Sequence, residues 1–135
     1  MNSNENALQA MIRKLNDCLK QDEESSWVAD VLYRIDGVFS PIIVRTEARD
    51  ISIFWDEKNE LSIDMGAQEE QEGYQESSGD SWRRPAGLRW VAGSQISRIA
   101  LEDHLIGEGV RFDFESGVTL RVMQSGVETF VPHAA

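Results

Sequence analysis

The chain has 135 residues, 13 basic and 24 acidic, for a net charge of −11, and 41% of its side chains are hydrophobic. It is long enough for a hydrophobic core without disulfide staples, and no apolar run approaches the ~20 residues that a membrane-spanning helix needs, which speaks against a membrane protein. So acidic a protein is repelled on average by nucleic acid, whereas a basic protein is a favoured partner, because opposite net charges speed encounter.

The first fifteen residues, MNSNENALQAMIRKL, open with polar and acidic residues where a secretory signal has a basic and then an apolar segment, so a cytoplasmic location is expected. Ser3 or Asn4 can cap a helix running from about residue 5 to residue 20. Leu8, Met11, Ile12, Leu15, Cys18 and Leu19 recur along it at three- and four-residue spacing and form one apolar stripe. Cys18, the single cysteine, has no disulfide partner in the chain and reads as a buried thiol on that stripe. Gln21 to Ser26 is a polar break. Val31 to Ile35 fits both a strand and a helical continuation from Trp27, and the strand is preferred. Gly37 and Ser40-Pro41 punctuate the chain before a β-branched run, Ile42 to Ala48. Ile51, Ile53 and Trp55 then alternate with polar or outward residues, Asp56 to Glu60 is a turn, and Leu61, Ile63 and Met65 complete a hairpin.

The clearest pattern lies further on, in GVRFDFESGVTLRV from Gly109 to Val122. Val110, Phe112 and Phe114 alternate with Arg111, Asp113 and Glu115, and Val118, Leu120 and Val122 with Thr119, Arg121 and Met123. Two period-2 runs around a short loop with glycine predict an antiparallel hairpin, with Gly117 supplying the positive φ of a three-residue loop. Laid on the earlier hairpin, it pairs Ile51 with Val110, Ile53 with Phe112, Trp55 with Phe114, Leu61 with Val118, Ile63 with Leu120 and Met65 with Val122. An apolar segment precedes each hairpin, Ile42 to Val44 and Ile96 to Leu101, so each half reads as a three-strand meander that buries one face against the other. The predicted fold is α+β: one domain, residues 1–135, with the N-terminal helix packed on a mainly antiparallel β-sheet built from two hairpin or meander halves, about 31–65 and 88–131.

Between the halves the charge is concentrated. From Asp56 to Asp80 there are nine acids and one base, Lys58. Residues 66–80 hold one aromatic side chain and no aliphatic larger than alanine, too little apolar area to offset ordering the backbone, so a mobile acidic loop is expected. SWRRPAGLRWVAG follows, a basic and aromatic island. Within it Leu88 to Val91 is either a short strand or a turn of helix, Trp90 beside Val91 reads as core, and Arg83-Arg84 either reach a partner or neutralise acids of this chain. Val127 to Val131 reads as a last strand, with Val127, Thr129 and Val131 on one face and Glu128 and Phe130 on the other.

Residues suited to catalysis are scarce. The two histidines are His104, in the expected loop from Glu102 to Gly109, and His133, on the terminal tail, and neither sits in a nucleophile–base motif. CxxC, HExxH and calcium-loop spacings are missing, so no catalytic residue, metal or cofactor is expected, and the chain is read as a non-enzyme. Binding is better supplied: acids on a flexible segment attract a basic surface, and aromatic and arginine side chains anchor interfaces. The candidate partner-binding residues are Glu69, Glu70, Glu72, Tyr74, Glu76, Asp80, Trp82, Arg83 and Arg84.

In size, in the acidic segment 56–80, and in the runs I-x-x-I-x-L, G-x-G-V-x-F-x-F and S-G-V-T-L of the second half, the chain resembles the small acidic immunity proteins that accompany bacterial toxins, including those of contact-dependent and type VI secretion systems. Such proteins share a role and not a fold. The resemblance implies a tight, non-catalytic inhibitor whose acidic surface covers the active site or substrate groove of a basic toxin. The alternative is an adaptor module that recognises a peptide or a second copy of itself, so a homodimer is also to be tested.

Overall fold

The computed structural model describes residues 3–34, 42–58, 60–67, 82–104, 107–124 and 126–132, with the backbone alone for 3–6, 34, 67, 82, 103, 104 and 107. The predicted helix is α1, Ser3–Gln21. Ile12, Leu15 and Leu19 are buried along one side while Arg13, Lys14, Asp17 and Lys20 face solvent, as 3.6-residue periodicity requires. Cys18 is half-buried, and not enclosed as expected. It sits with Met11, Leu15 and Met65 in an open groove of about 560 Å³ whose rim includes Lys14, Arg49 and Asp64. A 3-10 turn, Glu23–Ser26, redirects the chain. Its two buried serines are satisfied locally, Ser25 Oγ donating to Asp22 Oδ2 (2.8 Å) and Ser26 Oγ to the Glu23 carbonyl (2.6 Å).

Strands β1 (Val28–Arg34), β2 (Ile42–Thr46), β3 (Arg49–Trp55) and β4 (Leu61–Ala67) form one antiparallel meander, and β6 (Ile96–His104), β7 (Gly107–Phe114), β8 (Thr119–Met123) and β9 (Gly126–Phe130) form another. A two-residue strand, β5 (Trp82–Arg83), extends the first sheet beyond β1, and α2 (Leu88–Val91) is a single helical turn. The architecture is thus α+β with two antiparallel meander sheets. Among the described residues each half has four long strands: the strands expected about Val31 and from Val127 join the two predicted three-strand meanders as β1 and β9.

The alternation decides what is inside. Within each hairpin the alternating apolar positions face one another: Ile51 faces Met65, Ile53 faces Ile63 and Trp55 faces Leu61 in the first sheet, while Val110 faces Val122 and Phe112 faces Leu120 in the second. Phe114 and Val118 close the second hairpin through a backbone bond of 3.0 Å. All twelve side chains are in one core cluster except Met65, which is half-buried and packs against it, and α1 contributes Ile12, Leu15 and Leu19 to the same cluster. Gly117, at φ +92°, provides the left-handed residue of the Glu115–Gly117 loop, its N–H bonded to the Phe114 carbonyl at 2.9 Å.

The two sheets are joined at one corner by backbone. The Val28 N–H donates to the Ser94 carbonyl (3.0 Å) and the Gly93 N–H to the Val28 carbonyl (2.8 Å), while Trp27 forms an isolated antiparallel bridge with Gln95. A different contact closes β6, whose outer edge meets α1. There the Asn16 amide behaves as a strand residue, donating from Nδ2 to the Ile99 carbonyl and accepting the Ile99 N–H at Oδ1, both at 2.8 Å.

Several expectations are corrected. Gly66 and Ala67, placed in a loop, extend β4 by pairing with Asp50 and Arg49, because β3 runs long enough to template them. Asp103 and His104 belong to strand β6 and not to a loop: they pair with Glu108 and Gly107, so the connection is two residues long. Leu88–Val91 is the helical turn, not the strand. Residues 68–80, Gly37, Ser40-Pro41 and His133 lie outside the described residues.

Two substitutions test this framework. Phe112→Ala empties a site of zero exposure at the centre of the core and should lower unfolding free energy by about 3 to 5 kcal/mol in urea titrations. Asn16→Ala removes both bonds to Ile99 and should cost about 1 to 2 kcal/mol, with increased self-association on sizing columns because a strand edge is uncovered.

Candidate functional site

The segment from Trp82 to Gln95 runs back along the outer edge of β1 and covers it. Trp82 and Arg83 pair with Arg34 and Tyr33 at one end, and Gly93 and Ser94 bond Val28 at the other. Between them Arg84 forks onto Asp30, with Nε 3.0 and 3.2 Å from its two carboxylate oxygens and Nη2 3.0 Å from Oδ2. Of the two roles open to Arg84, neutralising an acid of this chain is the one its geometry serves. The charges continue across the outer face of the first sheet: Asp30 is register partner of Arg45, and Arg45 grips Asp50 in a second fork at 2.9 and 3.1 Å, mostly buried. Forked guanidinium–carboxylate geometry gives two parallel charge-assisted bonds, stronger than neutral ones.

At α2 the chain leaves β1 and touches β9. A Cβ placed on Gly87 would stand 2.3 Å from Thr129 Oγ1, so only glycine fits this approach. Three large apolar side chains are exposed among the described residues: Trp90 at 45%, Phe130 at 46% and Val131 at 41%. All lie within three residues in sequence of the Gly87–Thr129 contact, the shoulder where α2 meets β9, with Phe130 on the opposite face of β9 from Thr129. Trp90 was expected in the core. In a single helical turn neighbouring side chains diverge by about 100°, so only one of Trp90 and Val91 can face inward, and it is Val91, with zero exposure. Arginines stack on both exposed rings, Arg89 5.0 Å from the centroid of Trp90 and Arg121 4.9 Å from that of Phe130. Exposed aromatic rings with stacked guanidinium groups are the composition that dominates binding energy at protein interfaces.

Arg121 also ties the shoulder to the outer face of the second sheet. Arg111 and Arg121 sit directly opposite each other in the β7–β8 ladder, an arrangement of like charges that is unfavourable by itself. Glu102 of β6 resolves it, with Oε1 3.2 Å from Arg111 Nη1 and Oε2 3.1 Å from Arg121 Nε. Asp113 adds a contact of 3.1 Å to Arg111 Nε. Glu128 is the register partner of Arg121 on β9. Sequence reading did not single out Glu102, although the hairpin register already places the two arginines face to face and so calls for a carboxylate nearby.

Of the candidate partner-binding residues, Glu69, Glu70, Glu72, Tyr74, Glu76 and Asp80 lie outside the described residues. Arg83 is exposed on β5 opposite Tyr33, Trp82 is placed through its backbone opposite Arg34, and Arg84 is engaged with Asp30. Among the described residues there is no cluster of three or more histidine, cysteine or carboxylate side chains suited to a metal ion. Nor, among the described residues, is any helix long and apolar enough to cross a membrane.

Glu102→Gln should leave two opposed arginines without their shared anion, lowering stability by about 1 to 3 kcal/mol in denaturant titration. A double variant that also carries Arg111→Met should regain part of that loss.

No protein-family model, curated protein or solved structure matches this chain.

Proposed function

We propose that this chain is a non-catalytic protein-binding inhibitor of the immunity-protein type, which neutralises a basic toxin by covering its active site or substrate groove. The shoulder carries the reading: Trp90, Phe130 and Val131 are each exposed close in sequence to the α2–β9 contact, with arginines stacked on the two rings, on a chain of net charge −11. The partner's chemistry follows from charge. Arg45, Arg84, Arg111 and Arg121 on the outer sheet faces are engaged with carboxylates of this chain, while Glu23, Glu24, Glu47, Glu57, Glu60, Glu115 and Glu128 are exposed. A surplus of exposed acid steers a basic protein toward the molecule over distances up to a Debye length, and the aromatic shoulder then supplies short-range contact. Glu69, Glu70, Glu72 and Glu76 belong to the steering set.

Binding to the product of the neighbouring gene tests this by surface plasmon resonance across salt concentrations. Affinity should be nanomolar or tighter, with association slowing as salt rises. Reversing Glu69, Glu70, Glu72 and Glu76 to lysine together should slow association without changing the unfolding midpoint, and Trp90→Ala with Phe130→Ala should speed dissociation by about a hundredfold. Unchanged kinetics in both variants would remove the assignment. A stable homodimer that dissociates on the Trp90 and Phe130 substitutions would favour the adaptor reading, in which the shoulder meets a second copy.

A further inference from the structure

On the opposite edge of the second sheet, α1 and β6 enclose an open groove of about 450 Å³ lined by Gln9, Ile12, Arg13, Asn16, Asp17, Lys20 and residues 98–101. Two features of this groove are independent of each other.

The first is its backbone. Ile99 gives both its N–H and its carbonyl to Asn16 and none to Phe112, its register partner in β7, so the pair 99/112 is a non-hydrogen-bonded rung. In an antiparallel ladder bonded and non-bonded rungs alternate, which makes 101/110 another non-bonded rung and turns the N–H and carbonyl of Leu101 outward into the groove. Asn16 thus occupies one rung as a substitute strand and leaves the next one open. Ile12, Ile99 and Leu101 give the groove an apolar floor, Ile12 and Ile99 from the buried core and Leu101 packed against it.

The second is its charge. In a chain of net charge −11 the groove carries three cations, Arg13, Lys20 and Arg98, against one carboxylate, Asp17. The three cations are exposed, and among the described residues they take part in no ion pair. Arg45, Arg84, Arg111 and Arg121 are paired with carboxylates, so these three stand apart.

We propose that this groove takes an extended acidic peptide segment, which adds to β6 as a strand at Leu101 while its carboxylates meet Arg13, Lys20 and Arg98. Main-chain bonds at an open strand edge give affinity in this mode of recognition, and the side chains flanking the edge select the peptide. Charge complementarity fixes the sign of the occupant, and the open rung beside Asn16 fixes its extended form. The site lies away from the β9 shoulder, so it stands or falls separately from the inhibitor reading.

The experiment is fluorescence anisotropy with a blocked octapeptide of alternating glutamate and valine, run beside a lysine–valine counterpart, an octapeptide with N-methyl groups on alternate amides, and inorganic phosphate as competitor. The acidic peptide should bind saturably and shift the Leu101 amide resonance. The lysine and N-methylated peptides should bind at least about tenfold more weakly, and phosphate should not displace the acidic peptide. Arg13→Glu with Arg98→Glu, both solvent-exposed and so compatible with folding, should weaken binding by about tenfold or more. Equal binding of the N-methylated peptide, displacement by phosphate, or an unmoved Leu101 resonance would overturn the proposal, as would a self-association that occupies the edge and excludes the peptide.

Discussion

Val28 holds the molecule together in two ways at once. Its side chain is buried in the shared core, and its N–H and carbonyl bond Ser94 and Gly93 across the corner where the two sheets meet. The row of bonds is longer than this pair: the Glu47 N–H reaches the Trp27 carbonyl, Trp27 bridges Gln95, and the Glu115 N–H reaches the Gln95 carbonyl. One hydrogen-bonded line therefore crosses the β2–β3 turn, the start of β1, the start of β6 and the β7–β8 turn. Buried backbone groups that lack partners are costly, so a corner of this kind exists only because every strand entering it has a neighbour. With the corner fixed, the inward faces of both meanders and the stripe of α1 meet in one core.

The outer faces follow a different logic, that of charge. Each sheet places arginines where strand alternation directs them away from the core, and each supplies carboxylates at adjacent ladder positions to receive them. On the first sheet the order across the strands is Arg84, Asp30, Arg45, Asp50; on the second, Glu102 contacts both of two opposed arginines. These pairings consume cations within the fold. Negative charge in excess is left on turns and strand surfaces, which suits attraction of a basic partner from a distance and does little for contact once it arrives. Contact is better provided by the rings of Trp90 and Phe130.

Sheets of this type have edges, and edges invite pairing with other chains. The β1 edge is covered by β5, α2 and Gly93–Ser94, and the β6 edge is occupied at Ile99 by Asn16. The two proposed surfaces adjoin these covers: the shoulder lies where the segment over β1 meets β9, and the other is the open rung at Leu101 beside Asn16. Both surfaces are products of incomplete covering, one marked by exposed aromatic rings and the other by cations in a chain otherwise rich in acid.

What the sequence by itself determined was the material of the core. Alternation in Gly109 to Val122 and in Ile51 to Met65 sets which side chains face inward, because a strand has a period of two and a slip by one residue would reverse every side chain. The stripe of α1 was legible for the same reason, and even the opposed Arg111 and Arg121 follow from the hairpin register. Tertiary structure decided what depends on contacts distant in sequence. Local pattern has no means of stating that Asn16 would serve as a strand residue for Ile99, that Gly87 would be pressed against Thr129, or that Arg84 would reach Asp30. Trp90 shows the limit most plainly: beside a buried Val91 its apolar character suggests the interior, yet the short helix can turn only one of the two inward, and docking of that helix against β1 and β9 chose Val91.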